Sequence, residues 1–534
     1  MPPRCRESPN YLSWTACIPG STSVRGSAPS PFAIMCASCC PAWYARSGGA
    51  CRPAMSLLRT GVQALKWSVL GELAARVLGP LTFIVLARIL LPEDFGVVAA
   101  ATVLISLAQV LCELGLAKAL VQRTDRIQEA ANTAFWLNAG FGALLMGTLF
   151  LAAPAVAAFF GEARIESALQ VLSPVMLLSA LSAVPMALMQ REFRYQSLFW
   201  VRLLGAGLPA LASLPVAMAG GGHWALVGGT LAGQAAQAAA LWWLGGWRPR
   251  WAFSRELAGE LMRFGRWALL AGLLGWGYGW MDAVVVGRFL GAHDMGLYRT
   301  GSTLVTLIFG LLLSPLLPVL YGLFSRAQHD LPVLRDALIT VVRAATLVAL
   351  PAALLLYATS EQLAHHVLGA NWLDAGLVIG MLALTQGASW IVSFNGELHR
   401  AIGRPLAEVM ALGPMLLVYL VVYLLTIHRG LEVFLWGRLV LAGVAIVVQV
   451  TVCWRVAQIS PIRWVRPLCA LGTCLCCAAF LGTADSAHST AASALMVTSF
   501  TVLLFASERK LLLRLCRRWR DSAPTLRPVI EEPL

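Results

Sequence analysis

The sequence predicts an all-α integral membrane protein built from two related halves, and three observations carry that prediction. The first is composition: 58% of the residues are hydrophobic and 12% charged, with a mean hydropathy of +0.73, whereas soluble domains carry about 25% charged residues. The second is span length. Apolar segments run to about 20 residues, enough for a helix to cross a hydrocarbon core of roughly 30 Å, and no alternating pattern of the kind that builds a barrel appears.

The third observation is a repeat. Aligning Trp67 with Trp267 and sliding along without a gap pairs Leu70/Leu270, Leu73/Leu273, Gly79/Gly279, Val85/Val285, Arg88/Arg288, Leu90/Leu290, Asp94/Asp294, Gly96/Gly296, Leu104/Leu304 and Leu107/Leu307 at one constant offset of 200. Leucines coincide by chance in apolar segments; Trp, Arg, Asp and Gly in one register do not. Each copy reads as a long apolar helix, a short polar turn and a second apolar helix, so the chain is expected to hold two like bundles.

Residues 1–54 differ from the rest, being rich in Pro, Ser, Gly and Cys, and are expected to be a disordered extension in which Met55 marks a natural alternative start. Cys36 and Cys39 have zinc-knuckle spacing, but no second pair follows, so neither metal nor cofactor is expected. About fourteen spans are placed near 61–87, 95–117, 133–159, 166–189, 197–219, 224–245, 266–290, 296–320, 337–358, 373–396, 406–427, 432–454, 467–483 and 490–507. They divide into a six-helix bundle (55–246), a cytoplasmic linker (247–265) expected to hold a short amphipathic surface helix, a second six-helix bundle (266–454), an additional helix pair (455–507) and a basic tail (508–534). Because six spans separate the copies, both halves enter the membrane in the same direction, which implies a pseudo-two-fold axis along the membrane normal and a central cavity between them.

Lys and Arg set the orientation. Segments after even-numbered spans, from Lys118 and Arg123 through Arg517, Arg518 and Arg520, carry 24 of them, against Arg88, Arg164, Arg288 and Arg429 on the other side. Both termini are therefore expected in the cytoplasm. The same asymmetry accounts for most of the net charge of +14, so membrane lipids rather than nucleic acid are the expected partners.

Gly287-Arg288-Phe289-Leu290-Gly291 followed by Gly296-Leu297-Tyr298, with Asp282 earlier in the same helix, resembles the polysaccharide-repeat-unit flippases (Wzx type) of the multidrug/oligosaccharidyl-lipid/polysaccharide exporter superfamily. Ala87-Arg88-Ile89-Leu90 with Phe95-Gly96, Glu113-Leu114-Gly115-Leu116, and Gln190-Arg191-Glu192-Phe193-Arg194 agree with it. The resemblance runs from about residue 57 to 460. It implies a fold like that of the multidrug exporters of that superfamily and a non-enzymatic transporter in the bacterial inner membrane. The implied substrate is an undecaprenyl-diphosphate-linked oligosaccharide destined for surface polysaccharide. It also implies a polysaccharide polymerase and chain-length proteins as candidate partners, and H+ or Na+ as candidate coupling ions.

Charges inside spans are the candidate site, because each costs roughly 2.5–3.5 kcal/mol near mid-bilayer and needs a partner or a wet cavity. Glu72 and Arg76 share a face of the first span: they are either a structural pair or an Arg that meets the diphosphate, held by its Glu. Asp282 is either a hydrogen-bonded core acid, a carrier of a coupling proton, or the counter-ion of an Arg. Trp276 and Trp280, four apart, offer flat faces to sugars. Arg299 and Arg202 either extend a cationic cavity or snorkel to the nearer surface. Prolines 80, 174, 185, 209, 215, 315, 318 and 414 suit helices that bend. Two other functions stay open: cation-coupled drug efflux, which favours acidic groups in the cavity, and a membrane-embedded polymerase or ligase, which wants polar catalytic groups in a large outer loop.

Overall fold

The computed structural model describes the backbone at residues 67, 78–112, 120, 126–192, 194–327, 330–483 and 489–513. Expectations that fall on residues 1–54, on Glu72 and Arg76, on Glu113 to Leu116 and on the tail after 513 lie outside these residues. Within the described residues the chain is helical, with no strand. Its principal helices are α1 (Leu78–Ile89), α2 (Pro92–Cys112), α3 (Ile127–Phe160), α4 (Arg164–Leu172), α5 (Pro174–Arg191), α6 (Tyr195–Met218), α7 (His223–Gly245) and α8 (Arg255–Leu313). They are followed by α9 (Leu316–Arg326), α10 (Leu331–Ala358), α11 (Ala375–Ser389), α12 (Asn395–Ala401), α13 (Pro405–Ile427), α14 (Leu431–Ala457), α15 (Val465–Thr483) and α16 (Ser489–Ser507).

Eight helical stretches among the described residues are long and apolar enough to cross a membrane, and shorter apolar helices accompany them. Their outward faces carry large apolar side chains: Leu151 is 80% exposed, Met218 78% and Leu425 69%. Water would not tolerate that continuous apolar coat, and lipid requires it. Many hydroxyls within the helices bond back to their own turns, as Thr102 does to the Val98 carbonyl and Thr230 to that of Leu226, which keeps those polar hydrogens paired in an apolar surrounding.

The expected surface helix of the linker is the first part of a longer one. Ser254 caps α8 by accepting a hydrogen bond from the Leu257 amide, and the helix continues to Leu290 before Gly291, at φ 89° and ψ −175°, swings the chain into its second segment. Only glycine adopts that backbone without strain. Pro185, Pro209, Pro215 and Pro414 do sit inside helices, joined by Pro154 and Pro351; Pro174 instead opens α5, where its missing N–H costs nothing.

The turns that follow the odd-numbered predicted spans from the first to the eleventh come together at one end. Trp372, fully buried, donates its indole N–H to the Ala87 carbonyl at 2.6 Å and meets Phe95 edge to face. The Arg88 guanidinium donates to the carbonyls of His366 and Val367. The basic segments pair among themselves elsewhere: Arg194 donates to the Leu244 and Gly245 carbonyls, and Arg463 reaches Asp336 at 2.7 Å.

Candidate functional site

The first segment of α8 and the start of α14 bring together the charges that composition alone makes costly. Asp282 is 4% exposed. One carboxylate oxygen accepts the Ala283 amide at 2.7 Å; the other accepts the Tyr298 hydroxyl at 2.7 Å and an ion-pair hydrogen bond from Arg438 of α14. Three donors thus engage the acid, and of the three roles the sequence leaves open, the geometry matches both the hydrogen-bonded core acid and the counter-ion of an Arg. Arg438 was not among the candidates. Its signal was visible, an Arg within the twelfth predicted span, but nothing local named its partner.

An aromatic set surrounds this pair. Tyr298 meets Phe434 at 5.9 Å, Phe434 meets Tyr423 at 4.8 Å, Tyr423 meets Tyr419 at 5.6 Å, and Tyr419 meets Tyr278 at 5.6 Å. Tyr278 donates its hydroxyl proton to the Leu412 carbonyl at 2.6 Å. Helices α8, α13 and α14 are thus joined by rings, with the hydroxyls of Tyr298 and Tyr278 bonded to Asp282 and to the Leu412 carbonyl, a set that is apolar in bulk and polar at chosen points.

Arg299 and Trp280, two of the predicted site residues, do meet. The guanidinium carbon of Arg299 lies 3.9 Å from the centroid of the Trp280 ring, a cation–π contact that orients the side chain without neutralising it. Among the described residues no carboxylate lies within ion-pair distance of Arg299, and Asp282 acts on it only at longer range. Its face away from the ring keeps N–H donors that suit a phosphate or carboxylate. Arg202 is half-buried on α6 and is itself engaged. The indole N–H of Trp276 donates to Ser106 at 3.0 Å, tying α8 to α2.

At the end where the odd-span turns gather, Asp94 caps two helices. It accepts the Leu91 amide at 3.3 Å and the His223 amide at 3.0 Å, and Arg164 approaches it at 3.9 Å. Burial pushes the His223 imidazole below its ordinary 6.5, with Asp94 opposing that shift. A hydrogen bond from Arg164 holds the Glu162 carboxyl below the usual carboxylate value.

A separate cleft of about 700 Å³ lies between α10, α15 and α16, near the Arg343–Glu508 ion pair. None of the predicted site residues lines it. No group of three or more His, Cys, Asp or Glu among the described residues is placed to hold a metal ion.

With this geometry in hand, comparison places the chain among known proteins. A family model described as polysaccharide biosynthesis protein matches residues 85–376, more than half of the chain. The chain is 26% identical over 329 residues to the succinoglycan biosynthesis transport protein ExoT of Rhizobium meliloti (strain 1021), covering 62% of this chain and 67% of that one. It is 23% identical over 356 residues to the teichuronic acid biosynthesis protein TuaB of Bacillus subtilis (strain 168), covering 65% and 73%. To the lipopolysaccharide biosynthesis protein WzxC of Escherichia coli (strain K12) it is 24% identical over 363 residues, covering 67% and 70%. Among solved structures, the lipid II flippase MurJ in an inward closed conformation superposes with a TM-score of 0.65 at 12% identity, covering 84% of this chain and all of that one. An inward-facing multidrug resistance transporter of the MATE family of the MOP superfamily superposes at 0.57 and 16% identity, covering 72% and 98%. At such identities these likenesses establish the fold.

Proposed function

Because the chain belongs to the polysaccharide biosynthesis protein family, we propose that it carries a lipid-linked oligosaccharide across the bacterial inner membrane, from the cytoplasmic to the outer leaflet, for assembly of a surface polysaccharide. ExoT is named a transport protein of succinoglycan biosynthesis and MurJ a lipid II flippase; transport, not catalysis, is what this chain inherits from them. The observation that carries the reading to the site is Arg299, a cation held against Trp280 within an apolar span and left without an acidic partner among the described residues. A diphosphate linking a prenyl chain to sugars needs such a group, and the indole beside it suits the apolar face of a sugar ring.

In this reading fourteen spans form two bundles about a pseudo-two-fold axis plus a final pair, and both termini are cytoplasmic. Arg76, held by Glu72, receives the diphosphate in the first half, while Arg299 with Trp280 receives it in the second. Arg202 widens the cationic wall, and Asp282 supports that wall through Arg438. Undecaprenyl diphosphate is the expected lipid, with a polymerase and chain-length proteins receiving the product. Cation-coupled drug efflux is disfavoured by one specific feature: the membrane-embedded acid that would bind the cation, Asp282, already carries Arg438. The test is a clean deletion followed by lipid extraction. The lipid-linked unit should accumulate on the cytoplasmic side and surface polysaccharide should fall; undiminished surface polysaccharide in the deletion overturns the proposal.

A further inference from the structure

The starts of α2 and of the second segment of α8 cross at the end where the odd-span turns gather, and the crossing is reciprocal. A methyl group added at Gly96 would collide with the Ala292 carbonyl oxygen, and one added at Gly296 with the Pro92 carbonyl oxygen. Pro92 and Ala292, like Gly96 and Gly296, are 200 positions apart. Glu93 and His293 share the same offset and meet each other directly, carboxylate oxygen to imidazole Nδ1, at 3.0 Å. A residue that contacts its own repeat counterpart sits on a local two-fold axis.

We propose that this crossing is the closed form of an outer gate, in which the two glycines let the backbones seal against each other and Glu93–His293 is the latch that must part in every cycle. The proposal rests on the transport reading for its purpose, on the Lys and Arg asymmetry for the side it closes, and on geometry for its place in the fold. Three features mark the crossing as a joint made to separate. The first is that, among the described residues, no backbone hydrogen bond crosses it, so opening breaks no helix or ladder. The second is exposure. The latch side chains are 39% and 44% exposed, and exposed pairs of this kind contribute little net stability. The third is fit: at Gly96 and at Gly296 backbone meets backbone with no side chain between, so a small rotation of either half turns contact into gap at those two points. The repeat has also made the latch heterologous. Two identical residues on a two-fold axis would repel or merely touch, whereas Glu opposite His attracts.

The surrounding charges stay within their own halves. Asp94 and Glu162 are engaged by Arg164 and His223 in the first half, and Asp294 faces His293 and Asp374 in the second. Arg88 and Arg288 are exceptions, Arg88 spanning to the His366 and Val367 carbonyls and Arg288 to the Phe159 ring; these contacts, with the Trp372 hydrogen bond to Ala87, would part when the gate opens.

The test uses the full chain in cells. In the double variant Glu93→Cys/His293→Cys, a short reducible bis-thiol reagent applied from outside should link the pair and stop surface polysaccharide export, and reduction should restore it. Neither single variant should respond. Export that continues with the pair fully linked overturns the proposal. A second measurement needs no substrate. Ala100→Cys, 1% exposed one turn inside the crossing, should resist an impermeant thiol reagent from outside in the native background and react several-fold faster when Gly96→Ala is added. Equal labelling in both backgrounds also overturns it. If labelling and linking behave as stated while the deletion strain still presents normal polysaccharide, the gate stands and the substrate assignment fails.

Discussion

Arg438 of α14 and Asp282 of α8, 156 positions apart, form an ion pair inside an apolar bundle and share Tyr298, whose hydroxyl donates to the acid while its ring faces the guanidinium at 5.4 Å. The relationship joins the seventh, eighth and twelfth predicted spans through a single carboxylate. Removing one partner strands the other.

The first prediction follows from that asymmetry. Asp282→Asn should destabilise the protein by about 3 kcal/mol, the usual cost of leaving a buried charge alone, while Asp282→Asn combined with Arg438→Met should recover most of it. Melting of purified protein in detergent decides the matter, and a double variant no more stable than the single one contradicts it.

Arg299 should behave differently, since no carboxylate among the described residues is paired with it. Arg299→Gln should leave the melting temperature within a few degrees of native yet cut export by roughly 10- to 100-fold, the worth of a charge-assisted hydrogen bond of about 1.5–3 kcal/mol. Arg299→Lys should retain more activity than Gln, and Trp280→Ala should reduce export by freeing the side chain it orients. Pulse-labelling of surface polysaccharide at matched expression is the measurement.

Trp372 ties the α1–α2 turn to the second half. Trp372→Phe keeps most of the apolar volume but leaves the Ala87 carbonyl without its donor, at a cost of about 1–3 kcal/mol. Trp372→Ala should cost more, about 3–5 kcal/mol, because it also opens a cavity. The order of the two melting temperatures checks both.

His223 supplies a pH dependence. Burial lowers its folded-state value below 6.5, so the folded state binds the proton less readily than the unfolded one. The neutral imidazole is therefore free of penalty above pH 6.5, and stability is lost as pH falls below that value toward the lower folded one. Melting at pH 7.5 and pH 5.5 should show the drop, and His223→Asn should flatten it.

The membrane class, the helical fold and the doubled stretch were legible in the sequence because each is written locally: hydropathy sets what lipid will accept, and a register of 200 survives as identities such as Gly96/Gly296. Arg299 beside Trp280 was half legible, both residues standing out as unusual in apolar spans without any sign that they meet. Trp276 stood out as an aromatic near a glycine-rich bend, with no local sign that its indole N–H donates to Ser106. Contacts across the chain carry no such local mark. Arg438 declares that it needs a counter-charge, but the choice of Asp282 depends on how three helices pack, and the repeat predicts related halves without saying that Glu93 touches His293. What the sequence by itself determined was which segments leave water and how they recur, since transfer free energy accumulates along neighbouring residues. Only the tertiary structure decided which buried charges are spent on one another and that Arg299 meets the Trp280 ring rather than a carboxylate of the described residues, because that depends on distances between atoms far apart in the chain.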